Sequence, residues 1–215
     1  MQQKITNRLF YSKYQYKIVL VLAGASIFRH NKMETVLEFL SANQESLRRK
    51  PTSNHSYKYH GRFKEIENQH DLDYAFAVHN VLANYEDFEI RVESPWVSIY
   101  TNSKETIDKL VAIDQAQVKY ISVPNNDLAK DTILLPKINF DYRVTIGKTE
   151  RENSAFLEWA ETNKKVKVTK SCIKELGKSS SWGGTYFYIS GDNNLLMAKM
   201  HLGGSISRVE RIVKA

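Results

Sequence analysis

The order strand, helix, strand occurs twice at matching places in this chain, and that echo constrains the fold more than any single motif. Near the C-terminus, Thr185–Ser190 is aromatic and β-branched, as strands prefer. Gly191-Asp192-Asn193 follows as turn chemistry that can cap a helix. Leu195, Leu196, Met197 and Met200 then recur at helical spacing, Gly203-Gly204 stops the helix, and Ser205–Val213 returns as a β-branched segment. Earlier, Trp96–Thr101 reads as a strand, Asn102–Ala112 as a capped helix and Val118–Val123 as a strand. One supersecondary unit used twice is the simplest account.

Reading outward from the echo extends each copy. Gln15–Ala25 is the strongest strand signal, with Tyr16, Ile18, Leu20 and Leu22 on one face and Val19 and Val21 on the other. Apolar groups on both faces predict a central, covered strand. A helix is expected over Lys32–Ser46 with Asn31 as its cap, a loop from Leu47, and a second helix over His70–Asn84. Phe88–Glu93 and Trp96–Thr101, joined at Ser94-Pro95, form a hairpin. In the second half Tyr142–Ile146 is a strand, Glu150–Asn163 a helix and Lys165–Glu175 a strand, before the Gly/Ser loop Gly177–Gly184. Residues 1–15 are an arm or a first strand, and Ile133–Leu135 an edge strand or a tether.

The predicted class is therefore α+β, with tandem ferredoxin-like (βαββαβ) repeats and a basic insertion in the first. The first domain spans 1–124, with its helical insertion at about 47–85. Residues 125–140 connect it to a second domain at 141–215.

Composition narrows the function classes. A hydrophobic content of 42% supports a packed core. The longest apolar run, Ile18–Ala25, is far short of the roughly 20 residues a membrane helix needs, so no membrane partner is expected. The N-terminal residues lack the order of a signal peptide. With Cys172 as its one cysteine, the chain forms no internal disulfide and no multi-cysteine zinc site, and a reducing, cytoplasmic setting is the default expectation. The net charge of +7 is uneven: residues 1–70 carry +7, 71–140 carry −5 and 141–215 carry +5. Local basic faces point to polyanions, nucleic acid first.

Two candidate nucleic-acid contacts stand out. In Arg48, Arg49, Lys50, Tyr57, Lys58, Tyr59, Arg62 and Lys64, with His55, His60 and Phe63 among them, cations for phosphates alternate with flat side chains for bases. Lys165 and Lys167 add charge, and Tyr186 and Tyr188 point the same way from one strand. Gly184–Ser190 loosely resembles the third-strand signature of the RNA-recognition module but lacks its basic residue followed by Gly-aromatic. Tyr142 is the one aromatic at the matching place on the neighbouring strand.

Gly177–Gly184 lacks phosphate-loop spacing and is expected to be a loose hairpin turn. Cys172 between Lys170 and Lys174 is expected to be a packed strand residue. The histidines have no metal-ligand spacing, and neither a metal nor another cofactor is expected. No catalytic constellation is evident; His30 beside Arg29 is the one candidate base. Tandem ferredoxin-like domains with basic faces resemble, at the level of architecture, the CRISPR repeat-processing endoribonucleases, with Gly203-Gly204 a poor version of their glycine-rich loop.

The stretches NRLFYSKYQYKIVL and YFYISGDNNLLMAKMHLGGSISRVERIV resemble uncharacterised proteins of tailed bacteriophages. The resemblance implies a host cytoplasm or a virion as the setting. The expected function is a non-enzymatic, phage-type protein that binds RNA or single-stranded DNA. The alternatives are a virion structural or host-protein-interaction (inhibitor) protein, with a protein partner or homo-oligomer, and a metal-independent endoribonuclease.

Overall fold

The structure is a computed structural model that describes residues 2–49, 65–124 and 128–214. The chain forms two compact units, Met1–Asn126 and Asp127–Ala215.

In unit one the strands are β1 (Gln2–Thr6), β2 (Tyr16–Val21), β3 (Phe88–Glu93), β4 (Trp96–Thr101) and β5 (Val118–Pro124). The helices are α1 (Met33–Arg49), α2 (Gln69–Leu82) and α3 (Lys104–Ile113). The sheet order is β1-β5-β2-β4-β3. β1 runs parallel to β5, and all other neighbours are antiparallel. β2 is central because it is the most apolar strand. Its Ile18 and Leu20 are fully buried in one cluster with Val97, Ile99 and Ile121 of the sheet, and with Val36, Leu40, Leu72, Val78 and Leu110 of the helices. Each such side chain removed from water contributes about 1.5–3 kcal/mol. Val19, on the opposite face, is buried too but stands outside that cluster.

Local chemistry sets the helix ends. Asn68 accepts from the Asp71 amide and Ser103 from the Thr106 amide, each satisfying a donor the first turn leaves orphaned. Asn31 does not cap α1. A 3-10 turn over Ala25–His30 precedes it, Asn31 takes a left-handed φ of 55°, and its Nδ2 donates to Glu89 at 2.9 Å. α1 also runs on through Arg49, past the loop start expected at Leu47.

Unit two has strands β6 (Thr132–Leu134), β7 (Tyr142–Ile146), β8 (Val166–Val168), β9 (Tyr186–Ile189) and β10 (Ile206–Val213). Its helices are α4 (Ser154–Thr162), α5 (Lys170–Leu176) and α6 (Asp192–Leu202). The order is β6-β10-β7-β9-β8, with β6 parallel to β10 and the rest antiparallel. The two sheets therefore share one plan: an edge strand beside the unit's last strand, then the first, third and second strands of the repeated order. β6 lies within the segment read as a connector and belongs to the second sheet.

One sequence expectation fails here. Lys165–Glu175 is not one strand. β8 ends at Val168, and Thr169 accepts from the Cys172 amide to start α5, whose Cys172 and Leu176, four residues apart, are buried. On α6 the buried stripe is Leu195, Ala198 and Leu202, while Leu196, Met197 and Met200 face solvent, with Met200 71% exposed. Ala198 at the centre of that stripe is fully buried in the core cluster of unit two. Among the described residues no helix is long and apolar enough to cross a membrane.

Candidate nucleic-acid interface

In each unit the helices pack on one sheet face, and the other face carries alternating cations and aromatics. In unit two, period-2 alternation turns Val144, Phe187 and Ile189 into the core and Arg143, Lys167, Tyr186 and Tyr188 to the opposite face. The register places Lys167 opposite Tyr188, and Tyr188 opposite Arg143. The Arg143 guanidinium lies 3.9 Å from the Tyr186 ring centroid. Tyr186 and Tyr188 meet edge-on at 5.5 Å, and Phe140 stacks on Tyr188 at 5.9 Å. Both tyrosines are half-buried and Lys167 is exposed. Burial, then the neighbouring Tyr186, holds the Tyr188 phenol above its ordinary pKa, against the pull of Arg143, so it stays neutral.

Tyr142 is corrected by the same alternation. It packs against the core side, and its hydroxyl donates to Asp192 at 2.5 Å. The outward place on β7 belongs to Arg143.

Unit one presents a second ladder that the sequence analysis missed. Lys4 lies 3.8 Å from the Tyr120 ring centroid and Lys119 3.2 Å from that of Trp96. Lys17 sits between the Tyr100 and Tyr120 rings, 5.4 Å from each, and donates to the Tyr120 hydroxyl at 3.2 Å. Burial works against the Lys17 ammonium, but the Tyr120 hydrogen bond and nearby Tyr100 hold its pKa above the ordinary value, so it stays charged. A turn at Phe10–Tyr14 folds over part of this face. Phe10 and Tyr11 pack on Tyr100 at 5.4 and 4.9 Å, and Lys13 ties the turn to Asp87 at 2.6 Å. Strand parity was the signal that could have found this set, since Lys17, Tyr100 and Tyr120 all alternate with core residues.

Of the residues singled out in sequence, Lys50, Tyr57, Lys58, Tyr59, Arg62 and Lys64 lie outside the described residues, as do His55, His60 and Phe63. Arg48 and Arg49 end α1 rather than stand in a loop, and Arg48 is exposed. Lys165 is exposed just before β8. Lys170 and Lys174 belong to α5, not to a strand.

Gly177–Gly184 is fastened rather than loose. Thr149 and Ser181 exchange backbone hydrogen bonds at 2.8 and 3.0 Å, and Gly184 N donates to Ile146 O at 2.8 Å. The Ser181 hydroxyl donates to Glu175 at 2.5 Å and accepts from Gly183 N at 3.1 Å. At its tip Trp182 is 90% exposed.

His30 is stacked on Phe39 at 4.8 Å. His79, buried, bridges α1 and α2, with Nε2 2.9 Å from the Met33 carbonyl oxygen. Burial pushes the Cys172 thiol up to about 11, which disfavours the reactive thiolate. Among the described residues no group of three His, Cys, Asp or Glu side chains is placed to hold a metal ion.

Compared with protein-family models, with curated proteins and with solved structures, the chain matches none.

Proposed function

We propose that this chain binds single-stranded nucleic acid, RNA or DNA, without catalysing a reaction on it, through the face of the second sheet opposite that unit's described helices. The observation that carries the reading is the line Lys167–Tyr188–Arg143 across three adjacent strands, with Tyr186 against Arg143. A strand bound there sets bases on flat side chains and phosphates on fixed cations. Stacking is worth about 1–3 kcal/mol per base, and the phosphate contacts make affinity fall with salt. A single strand fits better than a duplex, because bases must be unstacked to reach an aromatic platform.

Each unit is read as a ferredoxin-like βαββαβ domain. The orders β5-β2-β4-β3 and β10-β7-β9-β8, with helices packed on one face, support that reading, and β1 and β6 are additions to it. The basic insertion Arg48–Lys64 is proposed as a further phosphate contact, joined by Lys165, and the ladder in unit one as a weaker one. The phage setting, in host cytoplasm or virion, belongs to the same proposal, and the mechanism requires no cofactor.

The test is fluorescence anisotropy of a labelled short single strand against the protein and its Lys167→Ala and Tyr188→Ala variants. Each substitution is expected to weaken binding about tenfold. Unchanged affinity in both, with the fold intact by circular dichroism, contradicts the reading.

A second reading, an interaction protein that assembles with another chain or with itself, is favoured by the solvent-facing Leu196 and Met200 of α6. A concentration-dependent dimer on sizing, lost in Met200→Glu, would support it.

A further inference from the structure

The fastened turn at Ser181–Gly184 fixes the backbone beneath a solvent-exposed indole. Gly183 has φ +76°, and a Cβ there would lie 2.1 Å from the Gly147 carbonyl oxygen, so the turn closes only with glycine. Both neighbouring backbone segments are paired, and Ser181 is held by Glu175 through its hydroxyl. The ordering cost of the Trp182 backbone is thus met on folding rather than on binding. An exposed tryptophan on a fixed backbone is a contact residue for a flat or apolar surface.

What adjoins it identifies the ligand chemistry. A pocket of about 300 Å³ is lined by Lys148, Glu150, Arg151, Leu202, Gly204 and Ser205. Lys148 belongs to both features, since its Nζ also lies 5.8 Å from the Trp182 ring centroid. Glu150 is paired with Lys148 at 2.7 Å, whereas Arg151 is exposed and has no carboxylate partner among the described residues. At Gly204 nothing lies within 4 Å of where a Cβ would stand, so backbone is open to an occupant. The pocket therefore offers one unneutralised guanidinium, a second shared cation and accessible backbone, next to a π face.

We infer that Trp182 and this pocket form a seat for a phosphorylated nucleoside, with the base on the indole and the phosphate between Lys148 and Arg151. An acidic peptide without an aromatic side chain would supply the anion but no planar group for the indole, and a purely apolar partner would leave Arg151 unpaired. The seat is built from residues other than those of the β7–β9 ladder, so it stands or falls apart from the sheet-face reading. The ligand is either a free mononucleotide or the phosphate-bearing end of a strand.

The experiment follows the indole N–H signals of Trp96, Trp159 and Trp182 by NMR in the full chain, assigned with Trp182→Phe. Adenosine monophosphate, adenosine and inorganic phosphate are titrated separately, then a short oligonucleotide with and without a 5′-phosphate. Adenosine monophosphate is expected to move the Trp182 signal, and to bind about tenfold more tightly than adenosine or phosphate alone. Arg151→Ala should remove that advantage while adenosine still moves the same signal. Tyr188→Ala should leave the adenosine monophosphate response unchanged. In Tyr188→Ala, a Trp182 response to the oligonucleotide that is strengthened by its 5′-phosphate assigns the seat to strand ends, and a response to adenosine monophosphate with none to the 5′-phosphorylated oligonucleotide assigns it to free nucleotide. An unmoved Trp182 signal at millimolar adenosine monophosphate overturns the inference, as does an Arg151→Ala response identical to that of the native chain.

Discussion

The guanidinium of Arg143 lies 3.9 Å from the Tyr186 ring centroid, so the cation of one strand is parked against the aromatic of the next. A cation over a tyrosine face is worth about 0.5–2 kcal/mol depending on exposure, and the planar group is held against the ring with its Nε buried. Lysine reproduces only part of this, because its ammonium can lie over a ring but presents no planar fork of donors. Arg143→Ala is expected to weaken single-strand binding about tenfold, with Arg143→Lys recovering only part of the loss. Equal binding by the Lys variant and the native chain, measured by anisotropy, would mean that charge alone matters at this place.

Gly183 and Gly204 form a matched pair for stability. Gly183→Ala meets the Gly147 carbonyl at a left-handed φ, while Gly204→Ala enters open space. The first is expected to cost at least about 1–3 kcal/mol in urea denaturation, and the second to stay within about 0.5 kcal/mol of the native chain. Similar losses in both would show that the turn is not closed as described.

Cys172 is fully buried on α5, and burial raises its thiol to about 11. A thiol reagent at neutral pH is expected to leave it unmodified over the time in which denatured protein reacts fully. Rapid modification of the folded chain would contradict its place in the core.

The Phe10–Tyr14 turn has a pH signature. The Lys13 hydrogen bond, then that of Asn102, holds the Asp87 carboxyl below the usual carboxylate range. A depressed folded pKa contributes stability above the unfolded value, about 4, and loses it as pH falls through the folded value. The melting-temperature difference between the native chain and Asp87→Asn is therefore expected to be present at neutral pH and to vanish in acid. A difference that persists unchanged well below pH 4 would assign the Asp87 effect to something other than its charge.

Much of the architecture was legible because it rests on local pattern. β2 announces itself as an apolar run, and Tyr186 and Tyr188 alternate with Phe187 and Ile189 whatever else the chain does. α5 was hidden because Val166, Val168 and the lysines of KVKVTKSCIKE continue a strand alternation, and Thr169 reveals itself as a cap only once Cys172 and Leu176 are seen to be buried. On α6 the larger side chains drew attention from Ala198, which is the fully buried residue of the stripe.

The candidate site divides the same way. Lys167 and the two tyrosines are near one another in sequence. Lys17 and Tyr120 are 103 residues apart, and only strand pairing brings them together. The Trp182 turn looked like loose Gly and Ser because its restraint comes from Thr149, Ile146 and Gly147 on a different strand and its loop.

The most direct test of the central claim is anisotropy of labelled single-stranded RNA, single-stranded DNA and duplex DNA against the native chain and Lys167→Ala over a range of salt. The account predicts single strands bound more tightly than duplex. It also predicts an affinity that falls linearly on a log–log plot of salt, with a slope lowered by about 0.7 when Lys167 is removed. Flat traces on all three at low salt, or a slope that Lys167→Ala leaves unchanged, would contradict it.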